Sequence, residues 1–189
     1  GRGTLHLCRG LRSLAIEFRW LSIESDSRYF RNHLAADVNA LSWARVLDSS
    51  LRSDTAGPGD ACATQLEFVV FDAGELRPYL AARAADRRAN LDAYVACPGQ
   101  TGRQFDVILV DGRMRRRCLL EAVRLLAPGG VVLLHDAWRP HYRCAFDAFP
   151  YHKRIGDILW VGAQEPSALQ RLAGDLELNM ECALNAPDR

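Results

Sequence analysis

The sequence predicts an α/β fold, with a mostly parallel sheet and helices on both of its faces. Three observations predict it. Strand-like and helix-like stretches alternate along the 189 residues. Most of the strand candidates are near-continuous apolar runs, the mark of a sheet buried on both sides. Four of these runs end in an acid, at Glu24, Asp72, Asp111 and Asp136. Open α/β sheets bind their ligands at those carboxyl ends.

The elements follow in order. Residues 4–16 read as a helix and FRWLSIE (18–24) as a strand. SRYFRNHLAADVNAL (27–41) reads as a helix, with Ser25, Asp26 or Ser27 to cap it and Asp26 the preferred cap. RSDTAGPGDACAT (52–64) is rich in Gly, Pro and Ser and predicts a loop or insertion. LEFVVFD (66–72) predicts a strand, and a helical stretch covers about 75–96, including the exposed tract AARAADRRA (81–89). CPGQTGRQ (97–104) predicts a second loop, and FDVILVD (105–111) the next strand. RRRCLLEAVRLLA (115–127) predicts an amphipathic helix with Leu119, Ala122, Val123 and Leu126 on one face. PGG (128–130) should stop it. GVVLLHD (130–136) and DILWVGA (157–163) predict strands, PSALQRLAGDL (166–176) a short helix, and 177–189 a tail. There is no internal repeat, and the length predicts one domain over 1–189.

Composition excludes several function classes. The chain is 49% hydrophobic and 25% charged, with a net charge of +1. That is an ordinary globular balance, without the bulk positive charge that drives nucleic-acid binding. No apolar run approaches the roughly 18–20 residues of a membrane span. The six cysteines, Cys8, Cys62, Cys97, Cys118, Cys144 and Cys182, are scattered without a CxxC pair. They read as reduced thiols, with no spacing for a metal cluster. The chain opens GRGTLHL, with no initiator Met and no visible signal peptide, so the expected location is the cytoplasm.

Four stretches then carry a resemblance. They are GRGT (1–4), SIESD (22–26), FDVILVDGRMRRRCLLEAVRLLAPGGVVLLHD (105–136) and RPHY (139–142). In order and spacing they resemble the class I S-adenosylmethionine-dependent methyltransferases, in a branch acting on small molecules or sugars. The resemblance covers roughly residues 1–165. It implies a three-layer α/β/α Rossmann-like sheet. In that family a first strand precedes the glycine-rich loop, whereas this chain begins inside the loop. The expected sheet therefore lacks its first strand, leaving a gap between the second and fourth.

The resemblance also implies roles. Gly1 and Gly3 match the tail of the loop that holds the methionine part of the cofactor; the competing reading is a frayed terminus. Glu24 matches the acid that accepts both ribose hydroxyls, although it could simply favour the dipole of the following helix. Asp72, with Ala73, stands where the family contacts adenine, or it marks a plain turn. Asp111 and Gly112 stand beside the methyl donor and the acceptor. Asp111 suits a general base, a cofactor contact or a metal ligand, and could alternatively cap the next helix.

Arg113, Arg115, Arg116 and Arg117 put cations at a helix start, against its dipole. Arg113 best suits an anionic acceptor or the cofactor carboxylate. His135 has the neutral-range chemistry of a base, or is a half-buried histidine bonded to backbone. Strand alternation points His135 and Asp136 to opposite sides, unless the strand has already ended. Asp111 and Asp136 together resemble the metal acids of catechol-type O-methyltransferases. Those enzymes place Asn after the second acid, whereas Ala137 stands here, so a divalent metal is not favoured. Arg139, His141 and Tyr142 could shape an acceptor pocket or merely start a helix.

The expected function is methyl transfer from S-adenosylmethionine to an oxygen of a small-molecule or sugar-like acceptor, with Asp111, His135 and Asp136 as catalytic candidates. The rivals are an NAD-type Rossmann oxidoreductase and a non-catalytic Rossmann-like scaffold. The expected partner is a small-molecule acceptor, not nucleic acid. The oligomeric state is left open.

Overall fold

A computed structural model describes residues 2–47, 49, 64–73 and 90–184. The elements of 52–63 and 81–89, Gly1 and the end of the tail lie outside the described residues. The chain is mixed α/β, as the sequence predicts. It divides into two compact units, Gly1–Gly102 and Arg103–Arg189. The described strands likewise form two sheets.

The first unit holds a three-stranded parallel sheet in the order β1-β3-β2. Its strands are β1 (Arg19–Glu24), β2 (Ala44–Leu47) and β3 (Gln65–Val70). Leu66, Phe68 and Val69 on the central strand are fully buried. Helix α1 (Arg2–Ser13) turns Leu5 and Cys8 into this core. The single helix expected over 27–41 is two, α2 (Ser27–His33) and α3 (Ala35–Asn39). Leu34 breaks them at φ −125° and is itself buried. α4 (Asp92–Gln100) runs on through Pro98 into the segment expected as a loop. Pro98 lies inside the helix, where it lacks the N–H that would bond the carbonyl four residues back.

The short strand β2 escapes a pattern reading, and its part-exposed Arg45 partners a buried acid on β3. Arg45 lies opposite Glu67 in the register. Its guanidinium donates to Glu67 Oε1 from Nε at 3.2 Å and Nη2 at 2.6 Å. Glu67 is 2% exposed, so this buried carboxylate is held by charge-assisted bonds.

The second unit holds a four-stranded sheet in the order β4-β5-β7-β6. β4 (Phe105–Val110) runs parallel to β5 (Leu126–His135). β7 (Leu159–Ala163) runs antiparallel to β5 and to β6 (Tyr151–Ile155). α5 (Arg115–Leu125) packs Leu119 and Ala122 on one sheet face. A 3-10 helix, Pro140–Ala148, covers the same face with Tyr142 and Ala145, three residues apart as that helix requires. Phe149 and Trp160 complete this core, each contributing about 1.5–3 kcal/mol by full burial. α6 (Pro166–Leu184) lays Ala168, Leu169 and Leu172 on the opposite face, over Val131, Val161 and Ala163.

PGG does not stop α5 from outside. The helix ends at Leu125 and PGG already lies within β5. Gly129 takes φ +75°, and a Cβ on Gly130 would stand 2.9 Å from the Phe105 carbonyl oxygen. The two glycines thus make an irregularity where the β4–β5 register shifts between Phe105 and Val107. Among the described strands β4 is the end strand of this sheet, and its Val107 and Leu109 are 55% and 44% exposed.

Candidate functional site

In the first unit, the carboxyl ends of β1 and β3 are tied together. Phe71 N donates to the Glu24 carbonyl at 2.8 Å and Ala73 N to that of Ser25 at 3.0 Å. Ser27 Oγ donates to Asp72 Oδ1 at 2.8 Å. Asp26 caps α2, accepting from Tyr29 N at 2.8 Å. Glu24 Oε1 accepts the backbone N–H groups of Ser25 at 2.8 Å and Asp26 at 3.1 Å. Those two donors fix the carboxylate at the strand end while engaging one of its oxygens. Gly3 lies inside α1, and a Cβ there would meet nothing within 4 Å. No close approach in the described structure requires a glycine at that position.

In the second unit, the carboxyl ends of the parallel pair β4 and β5 bring together Asp111, Arg115, His135, Asp136 and Arg139. His135 Nδ1 is 3.0 Å from Asp111 Oδ1. An ionised carboxylate only accepts, so Nδ1 carries the proton in this bond, and in the neutral ring Nε2 keeps its lone pair. His135 is 41% exposed on its side chain. The pair is thus an oriented imidazole that solvent or a ligand can reach, the arrangement of a base with its orienting acid.

Strand alternation does not separate His135 from Asp136, because β5 ends at His135. Asp136 takes φ +56°, a left-handed conformation rare outside glycine. That turn swings its carboxylate back, with Oδ1 3.6 Å from His135 Nδ1. Its Oδ2 accepts from Arg115 Nη1 at 3.1 Å and Arg139 Nη2 at 2.8 Å. Arg115 Nη2 also lies 3.1 Å from Asp111 Oδ1. A guanidinium thus sits against both strand-end acids. The donor set does not fit a divalent cation between them, since the cation would face that fixed charge. Among the described residues no group of three His, Cys, Asp or Glu side chains could hold a metal.

The other expected acceptor contacts lie elsewhere. Arg113 is buried, and its carbonyl accepts from Cys118 Sγ at 3.5 Å. Tyr142 is buried in the core, its ring 4.2 Å from that of His141. Arg139 is at the site and stacks its guanidinium on the exposed Trp138, 5.3 Å from the ring centroid. Trp138 is the residue that sequence reasoning passed over, and Arg115 was ranked below Arg113. The clue to Arg115 was present in the unfavourable run of cations at a helix start, but Arg113 was the arginine that the run favoured.

No family model, curated protein or solved structure matches the chain. Among the described residues no helix is long and apolar enough to cross a membrane.

Proposed function

We propose that the chain transfers a methyl group from S-adenosylmethionine to an oxygen of a small-molecule or sugar-like acceptor. The reading carries with it the three-layer α/β/α Rossmann-like arrangement. The observation that supports it best is the 3.0 Å bond between His135 Nδ1 and Asp111, at the ends of adjacent parallel strands. The cofactor supplies an electrophilic methyl on a sulfonium sulfur, with the thioether as leaving group. His135 Nε2 takes the acceptor's hydroxyl proton as its oxygen attacks, and Asp111 steadies the imidazolium that results. Asp136, held by two arginines, shapes the site and takes no proton.

Two measurements test this. Thermal unfolding with excess S-adenosylmethionine should shift upward, by the equivalent of about 2.7 kcal/mol at one hundred times Kd. NAD should leave it unchanged, and a shift with NAD alone would favour a dehydrogenase. Turnover on a panel of phenols and sugars should fall about 10²–10⁴-fold in His135→Gln, with cofactor affinity retained. Normal turnover in that variant removes His135 from the chemistry.

A further inference from the structure

Arg115 stands at the first position of α5, a helix with no acid in its first turn and no side-chain cap. A cation there is unfavourable by about 0.3–1 kcal/mol if it acts on the helix alone. The side chain does not point into solvent to escape. It is 12% exposed and reaches across both strand ends. Nε donates to the Gly112 carbonyl at 3.0 Å. Nη1 donates to the His135 carbonyl at 2.7 Å and to Asp136 Oδ2 at 3.1 Å. Nη2 donates to the Asp111 carbonyl at 3.1 Å and pairs with Asp111 Oδ1 at 3.1 Å. One planar group therefore joins the main chain after β4, the last residue of β5 and both acids.

The oxygen that Arg115 holds on Asp111 is the one that receives His135 Nδ1. Asp111 is 52% exposed on its side chain, and nothing about its burial would fix its rotamer. Arg115 also holds Asp136 by Oδ2, leaving Oδ1 at 3.6 Å from Nδ1, beyond a good hydrogen bond. We infer that Arg115 is a positioning residue: it locks Asp111 so that Asp111 fixes the tautomer and direction of the His135 ring. The link to turnover rests on the methyl-transfer reading; the locking does not. Lysine should replace it poorly, because an ammonium lacks the rigid fork that spans several fixed acceptors.

Nitrogen-15 NMR of the imidazole side chains in the full chain tests this without any substrate. In the parent, neutral His135 should be protonated at Nδ1. Asp111→Asn identifies the signal by releasing that tautomer. Arg115→Gln should give a mixture of the two tautomers, and Arg115→Lys a smaller shift in the same direction. A folded Arg115→Gln protein that keeps the parent tautomer overturns the inference. If Arg115→Gln does not fold, Arg115→Lys decides, and a parent-like tautomer there overturns it too. Where methyl transfer is measurable, Arg115→Gln should lower kcat about tenfold to hundredfold with cofactor Kd unchanged. A parent protein with the expected tautomers but no methyl transfer sinks the functional reading and leaves the lock standing.

Discussion

Asp136 shows what a sequence discloses about one residue and what it withholds. An acid closing an apolar run marks a strand end, and Glu24, Asp72, Asp111 and Asp136 all stand at or just past one. The direction of the side chain was not legible, because alternation assumes extended backbone and φ +56° abolishes it. Choosing among four arginines failed for a related reason. Met114, at φ +50°, precedes the helix, a backbone turn that the sequence pattern does not encode. The cysteines were easier, since scattered positions without a CxxC pair read as reduced thiols in the core or on the surface. Burial pushes the thiols of Cys8 and Cys118 up to about 12 and that of Cys97 to about 11, from an ordinary 9.0; at Cys118 Arg117 offsets part of this. Raised values mean that folding favours the neutral thiols. That stability is fully present below pH 9.0 and is lost as pH rises toward about 12. Native protein treated with iodoacetamide near neutral pH should label the exposed Cys144 ahead of Cys8, Cys97 and Cys118. Peptide mapping that finds those three labelled first would contradict the burial argument.

Elements with long apolar runs were legible, and elements without them were not. β1, β3, β4 and β5 contain the predicted runs to within a few residues. β6 was missed because Tyr151, His152, Lys153 and Arg154 are all exposed and carry no apolar period. β2 was missed because it is four residues long and pairs an arginine with a carboxylate. The break between α2 and α3 was invisible because Leu34 is an excellent helix former; the buried packing of its side chain accompanies the distortion. The β2–β3 pair predicts a double-mutant effect. Arg45→Ala strips two bonds from buried Glu67 and should cost about 1–3 kcal/mol in urea unfolding. Adding Glu67→Gln removes the buried charge that Arg45 neutralised, so the double variant should be more stable than Arg45→Ala. A double variant less stable than the single one would mean that Glu67 draws its support elsewhere.

At the scale of the molecule, α/β class and parallel pairing were legible, whereas the partition into two sheets was not. Apolar runs say that strands are buried; they do not say which strand is a neighbour. β5 meets β7 across 24 or more residues of chain, and its direction is set by a hairpin that turns at Gly156, φ +57°. No local pattern encodes that distance. The partition also leaves β4, among the described strands, at the end of its sheet, with Val107 and Leu109 exposed on the face that α6 covers further along. An end strand offers a row of backbone groups and a greasy margin to any chain that collides with it. The practical consequence is colloidal. Purified protein should scatter more light per molecule as it is concentrated, and Val107→Lys should flatten that rise by placing a charge on the margin. If both proteins scatter alike at every concentration, this edge is not what limits solubility. The charge on neighbouring Asp106, already exposed, would then be sufficient to keep copies of the chain apart at the bench.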